Sequence, residues 1–305
     1  MKKNKKRNFI VLGIVIVLVA CITIMLFQVK GEKKEVVETD QNSYRYIKVD
    51  GKDYRYRTNL KTILFLGIDT TDETKNQGQS DAIDLAIFDR DQQKIKIISL
   101  SRDTMCKIRL FDSEGNDLGW DKQHLGLAYS YGKNRKHGGI LAKDAVSKLL
   151  SDVPLVNYTA FDLNSLQELQ DIIGDMPMVL DDDYIDINPL KKGKKIVINR
   201  DNVEEFVRSR NTSKDYSNKT RMQRQKLYIQ TYINQLKTQL TNDYSTTLQK
   251  MYNFYSKLTT NITLKEIDSY AEMILNYSID NNEYYTLPGE DQKGELHDEF
   301  IVDQK

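Results

Sequence analysis

The chain has 305 residues, with 45 Lys and Arg against 44 Asp and Glu, a mean hydropathy of −0.58 and two cysteines. This hydropathy excludes a polytopic membrane protein, and two cysteines exclude a disulfide framework or a CxxC-type zinc site. The net charge is +1 and the first seven residues contribute +5, which leaves −4 on the rest of the chain. Because nucleic-acid-binding domains are basic as a whole, no nucleic acid partner is expected.

Residues 9–27 form an uncharged run of 19 residues (FIVLGIVIVLVACITIMLF) directly after a basic head. A helix of that length reaches about 28 Å, close to the ~30 Å hydrocarbon core of a bilayer. The apolar regions of signal peptides are shorter, about 7–15 residues, and no small-x-small cleavage pattern follows, so we predict an uncleaved anchor rather than a cleaved signal. The basic head predicts a single-pass protein of the cell membrane, with its N-terminus cytoplasmic and its C-terminal domain extracellular.

The predicted organisation is a cytoplasmic head (1–8), a transmembrane helix (9–29), a stalk (30–58), one extracellular domain (59–290) and a C-terminal tail (291–305). Cys21 falls in the predicted span and Cys106 in the domain, so the two cannot pair. A lone thiol of this kind is expected to be buried rather than reactive.

Three apolar runs of strand character open the domain, at residues 62–68 (TILFLGI), 82–88 (AIDLAIF) and 95–100 (IKIISL). The first and third are mostly apolar, which is typical of central strands covered on both faces. A loop rich in Asp, Gly and Trp follows. Apolar residues at helical spacing then predict helices over 138–150 and 163–173, the second ended by Gly174.

The second half of the domain is mostly helical. Short strands are predicted at 176–180 and 195–198, followed by a helix over 203–208 and further helices over 248–258 and 264–275. A long helix from about Thr220 carries one apolar face, formed by Ile229, Ile233, Leu236 and Leu240. Strands that alternate with helices, followed by helices alone, predict an α/β domain in which one mixed central sheet is flanked by helices on both faces.

No GxSxG, Walker A or HExxH motif is present. Polar residues instead stand at the ends of the apolar strands: Asp69 follows the first, Ser80 and Asp81 open the second, and Arg102 and Asp103 follow the third. Open α/β sheets bind ligands outside strand ends, and carboxylates suit a hard cation such as Mg²⁺. Each of these residues taken singly is better explained by turn chemistry.

A second cluster comprises Arg208, Arg210, Arg221 and Arg224, with Gln225 after it. The first two arginines point the same way if the segment is extended, and the second two share one face of the long helix. Arginine forks match phosphate oxygens bidentately. The cluster is therefore either a pyrophosphate clamp or a solvated basic face.

At these residues the sequence resembles the LytR-CpsA-Psr family of cell-envelope proteins, which is commonest in Gram-positive bacteria. The matching features occur in the family's order over roughly residues 60–240. They are TILFLGID, QSDAIDLAIFD, IISLSRDT, AYSYG, GG before a helix, a region that ends in IIGD, VRSR and RMQRQ, all after a short head and a single span. A single one of these motifs would be a weak signal, whereas the ordered set is specific.

The resemblance implies a transferase that attaches an anionic glycopolymer, such as teichoic acid or capsule, from a polyprenyl-pyrophosphate carrier to peptidoglycan. A peptidoglycan hydroxyl attacks the sugar-linked phosphorus, a phosphodiester forms, and polyprenyl monophosphate leaves. The implied partners are the lipid-linked glycopolymer, peptidoglycan and the membrane, and the implied cofactor is Mg²⁺ or Mn²⁺. The family also holds the prenyl chain in an apolar tunnel between the sheet and the helices.

The resemblance also assigns roles to individual residues. Asp69 and Asp81 correspond to the metal-associated aspartates, and Asp81 and Asp103 are alternatives for removing the hydroxyl proton. The catalytic set is Asp81, Arg102 and Asp103. The pyrophosphate-binding set is Arg102, Arg208, Arg210, Arg221, Arg224 and Gln225.

The sequence departs from the family at three places. Gln79 stands where many members have Arg, and His124 aligns with a Lys in members with a Lys-x-Asn-x-Ala-Tyr pattern. Residues 218–220 are additional, so that either the loop is longer or Arg221 is displaced. Two other functions stay open: a non-catalytic receptor for polyprenyl phosphates, and a polyprenyl-pyrophosphatase that transfers to water. A transcriptional regulator is disfavoured, because no helix-turn-helix pattern stands out and the domain is acidic.

Overall fold

The computed structural model describes residues 46–49, 51–70, 78–184, 190–210 and 217–303. Internal contacts divide the chain into two units, Met1–Tyr46 and Ile47–Lys305, and the fold described here is that of the second. In the described ranges, no helix combines the length and the apolar character that crossing a membrane requires. The predicted head and transmembrane helix lie outside the described residues.

The strands, in chain order, are β1 (Tyr46–Val49), β2 (Lys52–Arg55), β3 (Leu60–Ile68), β4 (Ser80–Asp89), β5 (Lys94–Ser99), β6 (Met105–Phe111), β7 (Asp117–His124), β8 (Asn157–Asp162), β9 (Met176–Val179), β10 (Lys195–Ile198), β11 (Thr259–Thr260), β12 (Tyr284–Thr286), β13 (Gly289–Lys293) and β14 (Asp298–Val302). The α-helices are α1 (Arg135–Leu149), α2 (Ser165–Ile173), α3 (Val203–Arg208), α4 (Ser217–Asn242), α5 (Tyr244–Tyr255) and α6 (Leu264–Asn276). A 3-10 segment, Leu125–Tyr131, precedes α1.

The central sheet has six strands in the spatial order β11-β8-β3-β4-β5-β12. Its centre is β3, which runs parallel to β8 and antiparallel to β4. At the edges, β5 pairs parallel with β12, and β8 pairs antiparallel with β11. The prediction of one mixed α/β sheet is confirmed, and the three predicted apolar runs are the neighbouring strands β3, β4 and β5.

One face of the sheet packs against α1 and the 3-10 segment in a closed core. Leu64 and Leu66 of β3 are fully buried there, together with Ala145 of α1. The helix lies close to the sheet because Gly139 faces β8: a Cβ added to Gly139 would lie 2.1 Å from a ring carbon of Tyr158. This face therefore has no room for a larger side chain.

The other face of the sheet is covered by the helical half of the chain, α2 to α6. Alternate residues of the same strands point to it, among them Ile63 of β3 and Ile97 of β5. The predicted apolar stripe on α4 is present, with Leu236 and Leu240 buried. The long helix begins at Ser217, three residues before the predicted start.

Two parts of the sheet structure differ from prediction. The loop predicted after the third strand contains the hairpin β6–β7, and β8 is a central strand that was not predicted. The short strands β9 and β10 pair with each other outside the central sheet. Cys106, on β6, is a buried free thiol as predicted, and burial raises its pKa to about 12.

Residues at both ends of the described chain also form strands. β1 and β2, in the predicted stalk, pair with each other. β13 and β14 form a hairpin that covers most of the predicted tail. The backbone N–H of Phe300 donates to the carbonyl oxygen of Asp103 at 2.8 Å. The hairpin therefore rests on the connection that follows β5.

Candidate functional site

A β-bulge decides the orientation of Asp81. Gly67 pairs with Ala82 and Ile68 pairs with Ser80, which leaves Asp81 as one extra residue on β4. Strict alternation would send Asp81 to the closed core, with Ile83 of the same strand. The bulge turns it to the opposite side, where it lines both a polar cleft and an apolar cavity.

Asp69 lies beside this bulge, directly after β3. Its Oδ1 accepts from the backbone N–H of Gln79 at 2.7 Å, and its own N–H donates to the carbonyl oxygen of Gln79 at 3.0 Å. These bonds close the connection between β3 and β4 and fix one carboxylate at the end of the strand. Asp69 lines the same cleft and the same cavity as Asp81.

Two guanidinium groups converge on Asp81. Arg221, from α4, donates from Nη1 to Asp81 Oδ2 at 3.0 Å and from Nη2 to the Asp81 carbonyl oxygen at 3.3 Å. Arg102, from the connection after β5, contacts Asp81 Oδ1 and Gln79 Oε1. The Nε of Arg102 lies 3.5 Å from Asp103 Oδ1. Asp81 thus bridges two arginines that come from separate parts of the fold.

Arg221 is unusually buried for a charged side chain, with 3% of it exposed. Burial is the main cause that lowers the pKa of this guanidinium to about 9, and the nearby Arg210 and Arg102 lower it further. Burial likewise lowers the pKa of Arg102. The Nε of Arg221 has no hydrogen-bond partner among the described residues. An anion with several oxygens would relieve this crowding of cations.

The three additional residues before Arg221 form the first turn of α4 rather than a longer loop. Asn218 is buried, and its Oδ1 accepts from Nη2 of Arg221 at 2.8 Å. Its Nδ2 donates to Ser101 Oγ at 3.0 Å. Asn218 therefore links Arg221 to the loop that carries Arg102, and Arg221 lies in the cleft rather than away from it.

Arg224 takes a different place from Arg221, although the two are three residues apart on α4. It is fully buried, its Nε donates to the carbonyl oxygen of Phe206 at 2.9 Å, and its guanidinium lies 5.9 Å from the ring centre of Tyr184. It also contacts the carbonyl oxygen of Ser209. Arg224 thus satisfies carbonyl groups at the C-terminal end of α3.

Gln225 makes a similar contact, because its Nε2 donates to the carbonyl oxygen of Val207 at 3.1 Å. Together with Arg224 it fixes the segment that carries Arg208 and Arg210. Arg208 is half-exposed and pairs with Glu204 at 2.5 Å. Both Arg208 and Arg210 line the polar cleft.

The polar cleft has a volume of about 660 Å³ and brings together six of the nine predicted residues, Asp69, Asp81, Arg102, Arg208, Arg210 and Arg221. Asp103 lies behind Arg102. The cleft also contains residues that sequence reasoning missed: Asp201, Glu204, Glu205 and Ser209. No signal marks these acids in the sequence, because carboxylates are ordinary in and before the first turn of a helix such as α3.

An apolar cavity of about 330 Å³ adjoins the cleft, between the sheet and the helices α2, α4, α5 and α6. Its walls are almost entirely hydrophobic, with Phe65 and Ala86 from the sheet and Ile233 from α4 among them. Asp69, Asp81 and Arg208 line both spaces. The cavity therefore opens at the two carboxylates and the arginine.

The donor set for a metal consists of Asp69 and Asp81. Mg²⁺ in proteins is typically bound by one or two carboxylates together with water and phosphate oxygens, and this pair fits that chemistry. Both oxygens of Asp81 are engaged by arginines, so a cation there would compete with Arg102 or Arg221. Within the described ranges, no three His, Cys, Asp or Glu side chains are grouped closely enough to hold a metal ion.

His124 contacts the C-terminal hairpin, not the polar cleft. Its Nε2 lies 3.1 Å from the carbonyl oxygen of Asp298, and its ring is in contact with that of His297. His124 is therefore not among the residues that line the polar cleft, although it aligns with a lysine of the family.

The sequence profile of the LytR_cpsA_psr family matches residues 22–305. The chain belongs to this family. A Staphylococcus aureus protein described only as uncharacterised is 27% identical in an alignment 233 residues long that covers 70% of this chain. The chain spans about half of that relative's length, 53%.

Several solved structures share the fold. Protein gbs0355 of Streptococcus agalactiae aligns with a TM-score of 0.64 and 22% identity, over 80% of this chain and 83% of that one. TagT, in a structure described as bound to LIIa-WTA, aligns with a TM-score of 0.60 and 20% identity, over 84% of this chain and 91% of its own. A structure of TagT from Bacillus subtilis gives a TM-score of 0.58 at 20% identity, over 83% of this chain and 88% of that one.

Proposed function

We propose that this chain transfers an anionic glycopolymer from a polyprenyl-pyrophosphate carrier to peptidoglycan. The observation that carries the proposal is the junction of an apolar cavity with an arginine-lined cleft at Asp69, Asp81 and Arg208. A donor of this class has the same arrangement, with an apolar chain, a pyrophosphate and then a polar glycan. Membership of the family and the similarity to TagT bound to LIIa-WTA support the proposal.

In the proposed reaction, a hydroxyl of peptidoglycan attacks the sugar-linked phosphorus of the donor. The new P–O bond gives a phosphodiester, the bond from that phosphorus to the bridging oxygen breaks, and polyprenyl monophosphate leaves. Negative charge on the phosphate oxygens is the main demand of such a transfer. Arg102 and Arg221 are placed to stabilise that charge. Of the two carboxylates considered as acceptors of the hydroxyl proton, Asp81 lines the cleft and Asp103 lies behind Arg102.

A divalent cation, Mg²⁺ or Mn²⁺, is part of the proposal. Asp69 and Asp81 would hold it, and it would supply charge neutralisation at the pyrophosphate when bound. The cleft is lined by five carboxylates and four guanidinium groups, so its own cations do not outnumber its anions. A bound cation would reverse that balance in favour of an anionic donor.

The predicted anchor and the prenyl carrier together suggest where the reaction takes place. We propose that residues 9–29 cross the cell membrane and that the domain acts on its outer side, where peptidoglycan lies. The carrier resides in the same membrane, so the anchor would keep the apolar cavity close to its ligand.

A binding role without turnover is the second candidate. It is favoured by the contacts of Asp81, both of whose carboxylate oxygens are engaged by arginines, which makes Asp81 a poor acceptor for a proton. Such a receptor would hold the polyprenyl phosphate and release it unchanged. A pyrophosphatase would use the same site with water in place of the glycan hydroxyl.

The deciding experiment incubates the full chain with a synthetic polyprenyl-pyrophosphate-linked oligosaccharide, Mg²⁺ and peptidoglycan. Mass spectrometry would detect a phosphodiester-linked sugar on peptidoglycan and released polyprenyl monophosphate. Release that does not depend on peptidoglycan would identify a pyrophosphatase. Binding of the donor with neither product would identify a receptor.

Arg221→Met is the informative variant, because it removes the buried guanidinium that holds Asp81. We expect transfer to fall by about 10²-fold or more, the usual cost of losing one donor that stabilises transition-state charge. Arg109→Ala is the matched control, since Arg109 is an exposed arginine on β6 that pairs with Asp117 away from the cleft. Equal transfer activity in the two variants would contradict the assignment of Arg221 to charge stabilisation in the cleft.

A further inference from the structure

A carboxylate stands in the wall of the apolar cavity, apart from the polar cleft. Asp84 lies on β4 and lines the cavity, with Phe65 of β3 and Ser99 of β5 as its register partners. Ser99 Oγ donates to Asp84 Oδ1 at 2.5 Å. Within the described part of the chain no Lys, Arg or His forms an ion pair with it. The hydrogen-bond partner of Asp84 is therefore a neutral hydroxyl, in a wall that consists mostly of hydrocarbon side chains.

Among the described residues of the elements packed around Asp84, no cation pairs with its carboxylate. β12 presents Tyr284, whose buried hydroxyl has no hydrogen-bond partner in the described ranges. Burial, and then the charge of Asp84, raises the pKa of Tyr284. On α4, the Nζ of Lys226 lies 5.9 Å from the centre of the Tyr284 ring. On its own strand the nearest carboxylate is Asp81, which is engaged by two arginines.

The other charged groups of the cavity walls have partners or positions of their own: Asp69, Asp81 and Arg208 lie where the cavity meets the cleft, and Asp162 of β8 pairs with Arg135 at 3.0 Å. The neutral polar groups are also engaged elsewhere or lie away from Asp84. Tyr228 donates its hydroxyl to Gln170 Oε1 at 2.9 Å, and Tyr232 donates to the carbonyl oxygen of Leu169 at 2.8 Å, so neither turns to Asp84. Thr159 of β8 has a buried hydroxyl without a hydrogen-bond partner in the described chain, on the far side of Phe65 from Asp84. On β5, Lys96 lies 3.9 Å from Asp89 instead.

Burial raises the pKa of Asp84 to about 6, against the smaller lowering effect of the Ser99 hydrogen bond. The carboxylate is thus largely ionised at pH 7.5 while the cavity is open to water. A hydrocarbon chain that fills the cavity removes that water. An ionised carboxylate against hydrocarbon is costly, whereas a neutral carboxyl group costs far less.

We propose that a prenyl chain entering the cavity is bound together with one proton on Asp84, so that the cavity holds the chain more tightly as the pH falls. This inference rests on the proposed function for the identity of the chain. The proton comes from solvent and is held on the carboxylate, and no other bond changes. Above about pH 6 each further pH unit weakens binding by up to about tenfold, because proton uptake then opposes binding.

The test uses the full chain and farnesol, a neutral prenyl alcohol with no group that titrates between pH 5 and 8. Calorimetric titration in two buffers of different ionisation enthalpy measures the protons taken up per farnesol bound. We expect uptake close to zero at pH 5 and approaching one at pH 7.5. The apparent Kd is expected to rise by about tenfold or more from pH 6 to pH 7.5.

Asp84→Asn and Asp84→Leu are the test variants, and both should bind farnesol with no proton uptake and no pH dependence. Asp144→Asn is the matched control: Asp144 lies on α1, on the opposite face of the sheet, and burial raises the pKa of its carboxyl as well. It should keep the uptake of the parent.

Farnesol binding without proton uptake in the parent, or uptake that persists in both Asp84 variants, would overturn the inference and leave the proposed function intact. No farnesol binding at any pH by the parent or by Asp84→Leu would have a different meaning. It would overturn the prenyl occupant of the cavity, and with it both proposals.

Discussion

The two faces of the central sheet are built from the same strands, but one face is closely packed and the other borders a cavity. Leu64 and Leu66 of β3 are fully buried under α1, whereas Phe65 between them stays 36% exposed and lines the apolar cavity. One face is a closed core and the other is a cavity of about 330 Å³. Strand alternation supplies apolar side chains to both faces, so the covering helices decide which face becomes a site.

The helices on the two faces differ in the size of the side chains they turn to the sheet. On α1 four of the six buried residues are small, namely Gly138, Gly139, Ala142 and Ala145. On α4 they are large, with Ile233, Tyr232 and Ile229 lining the cavity. Small residues let α1 approach the strands closely, whereas the bulky residues of α4 border an open cavity. The comparison teaches that side-chain size on the covering helix sets the space available to a ligand.

The largest expected effect on stability comes from enlarging a side chain on the closed face of the sheet. Gly139→Ala should lower the free energy of unfolding by about 3 kcal/mol, because the new methyl group has no room beside the Tyr158 ring. Denaturant unfolding measures it. Ile140→Ala is the control on the same helix, since Ile140 is an exposed neighbour, and it should cost under about 1 kcal/mol. Equal stability of Gly139→Ala and the parent would break the comparison.

A smaller effect is expected from the carboxylate on the open face. The folded-state pKa of Asp84 is raised, so the folded state binds more protons than the unfolded state between about pH 4 and pH 6. Stability therefore falls as the pH rises through that window. Asp84→Asn removes the titrating carboxyl group, and with it this loss of stability at higher pH. We expect the variant to exceed the parent by about 2 kcal/mol at pH 7.5 and by much less at pH 4, as read from thermal unfolding at both pH values.

Asp89→Asn is expected to change stability at pH 7.5 in the opposite direction, and it serves as the comparison for Asp84→Asn. Arg57 donates to both oxygens of Asp89 at 2.8 and 2.9 Å, and these bonds hold its pKa below the usual value against the effect of burial. Its contribution to stability is present near neutral pH and is lost as the pH falls through its lowered pKa. A variant less stable than the parent at pH 7.5 but not at low pH is expected. The same pH trend in both variants would contradict the opposite assignments.

The smallest effect on stability is expected inside the cavity. Ile233→Phe adds volume where space exists, so we expect a change in the free energy of unfolding of under about 1 kcal/mol. Farnesol binding should nevertheless weaken by tenfold or more, because the ring occupies the cavity. Leu66→Phe makes a similar enlargement on the closed face and should be strongly destabilising. If both variants unfold alike, the two faces do not differ in packing.

The fold was predictable from sequence where periodicity is strong. The strands β3 to β5 and the long helix α4 carry clear apolar patterns, and the structure has them close to the predicted bounds. β7 was missed because most of its side chains are exposed and polar, so that no alternation marks it. β8 was missed because it buries Asn157, which accepts a hydrogen bond from Tyr270 more than a hundred residues away.

The candidate site was predictable only as a set of strand ends and arginines. Asp69, Asp81 and Arg102 were singled out by their positions at strand ends, and all three line one cleft. The orientation of Asp81 depends on a bulge that a two-residue period cannot predict. Helical spacing predicted one face for Arg221 and Arg224, but the position of α3 directs the second to backbone carbonyls. The cavity depends on how the bulky residues of α4 pack beside the sheet, which the apolar spacing of the helix does not predict.

The position of the C-terminal strands has a consequence for the order in which the molecule can be completed. A nascent chain that ends at Asn276 contains every residue of the polar cleft, yet its sheet still lacks the edge strand β12 beside β5. The carbonyl oxygen of Asp103 also lacks its partner, the backbone N–H of Phe300, until that residue is made. Growing chains of this protein therefore carry all the cleft's functional groups before the last backbone contact of the loop at Asp103 can form, and that contact requires residue 300.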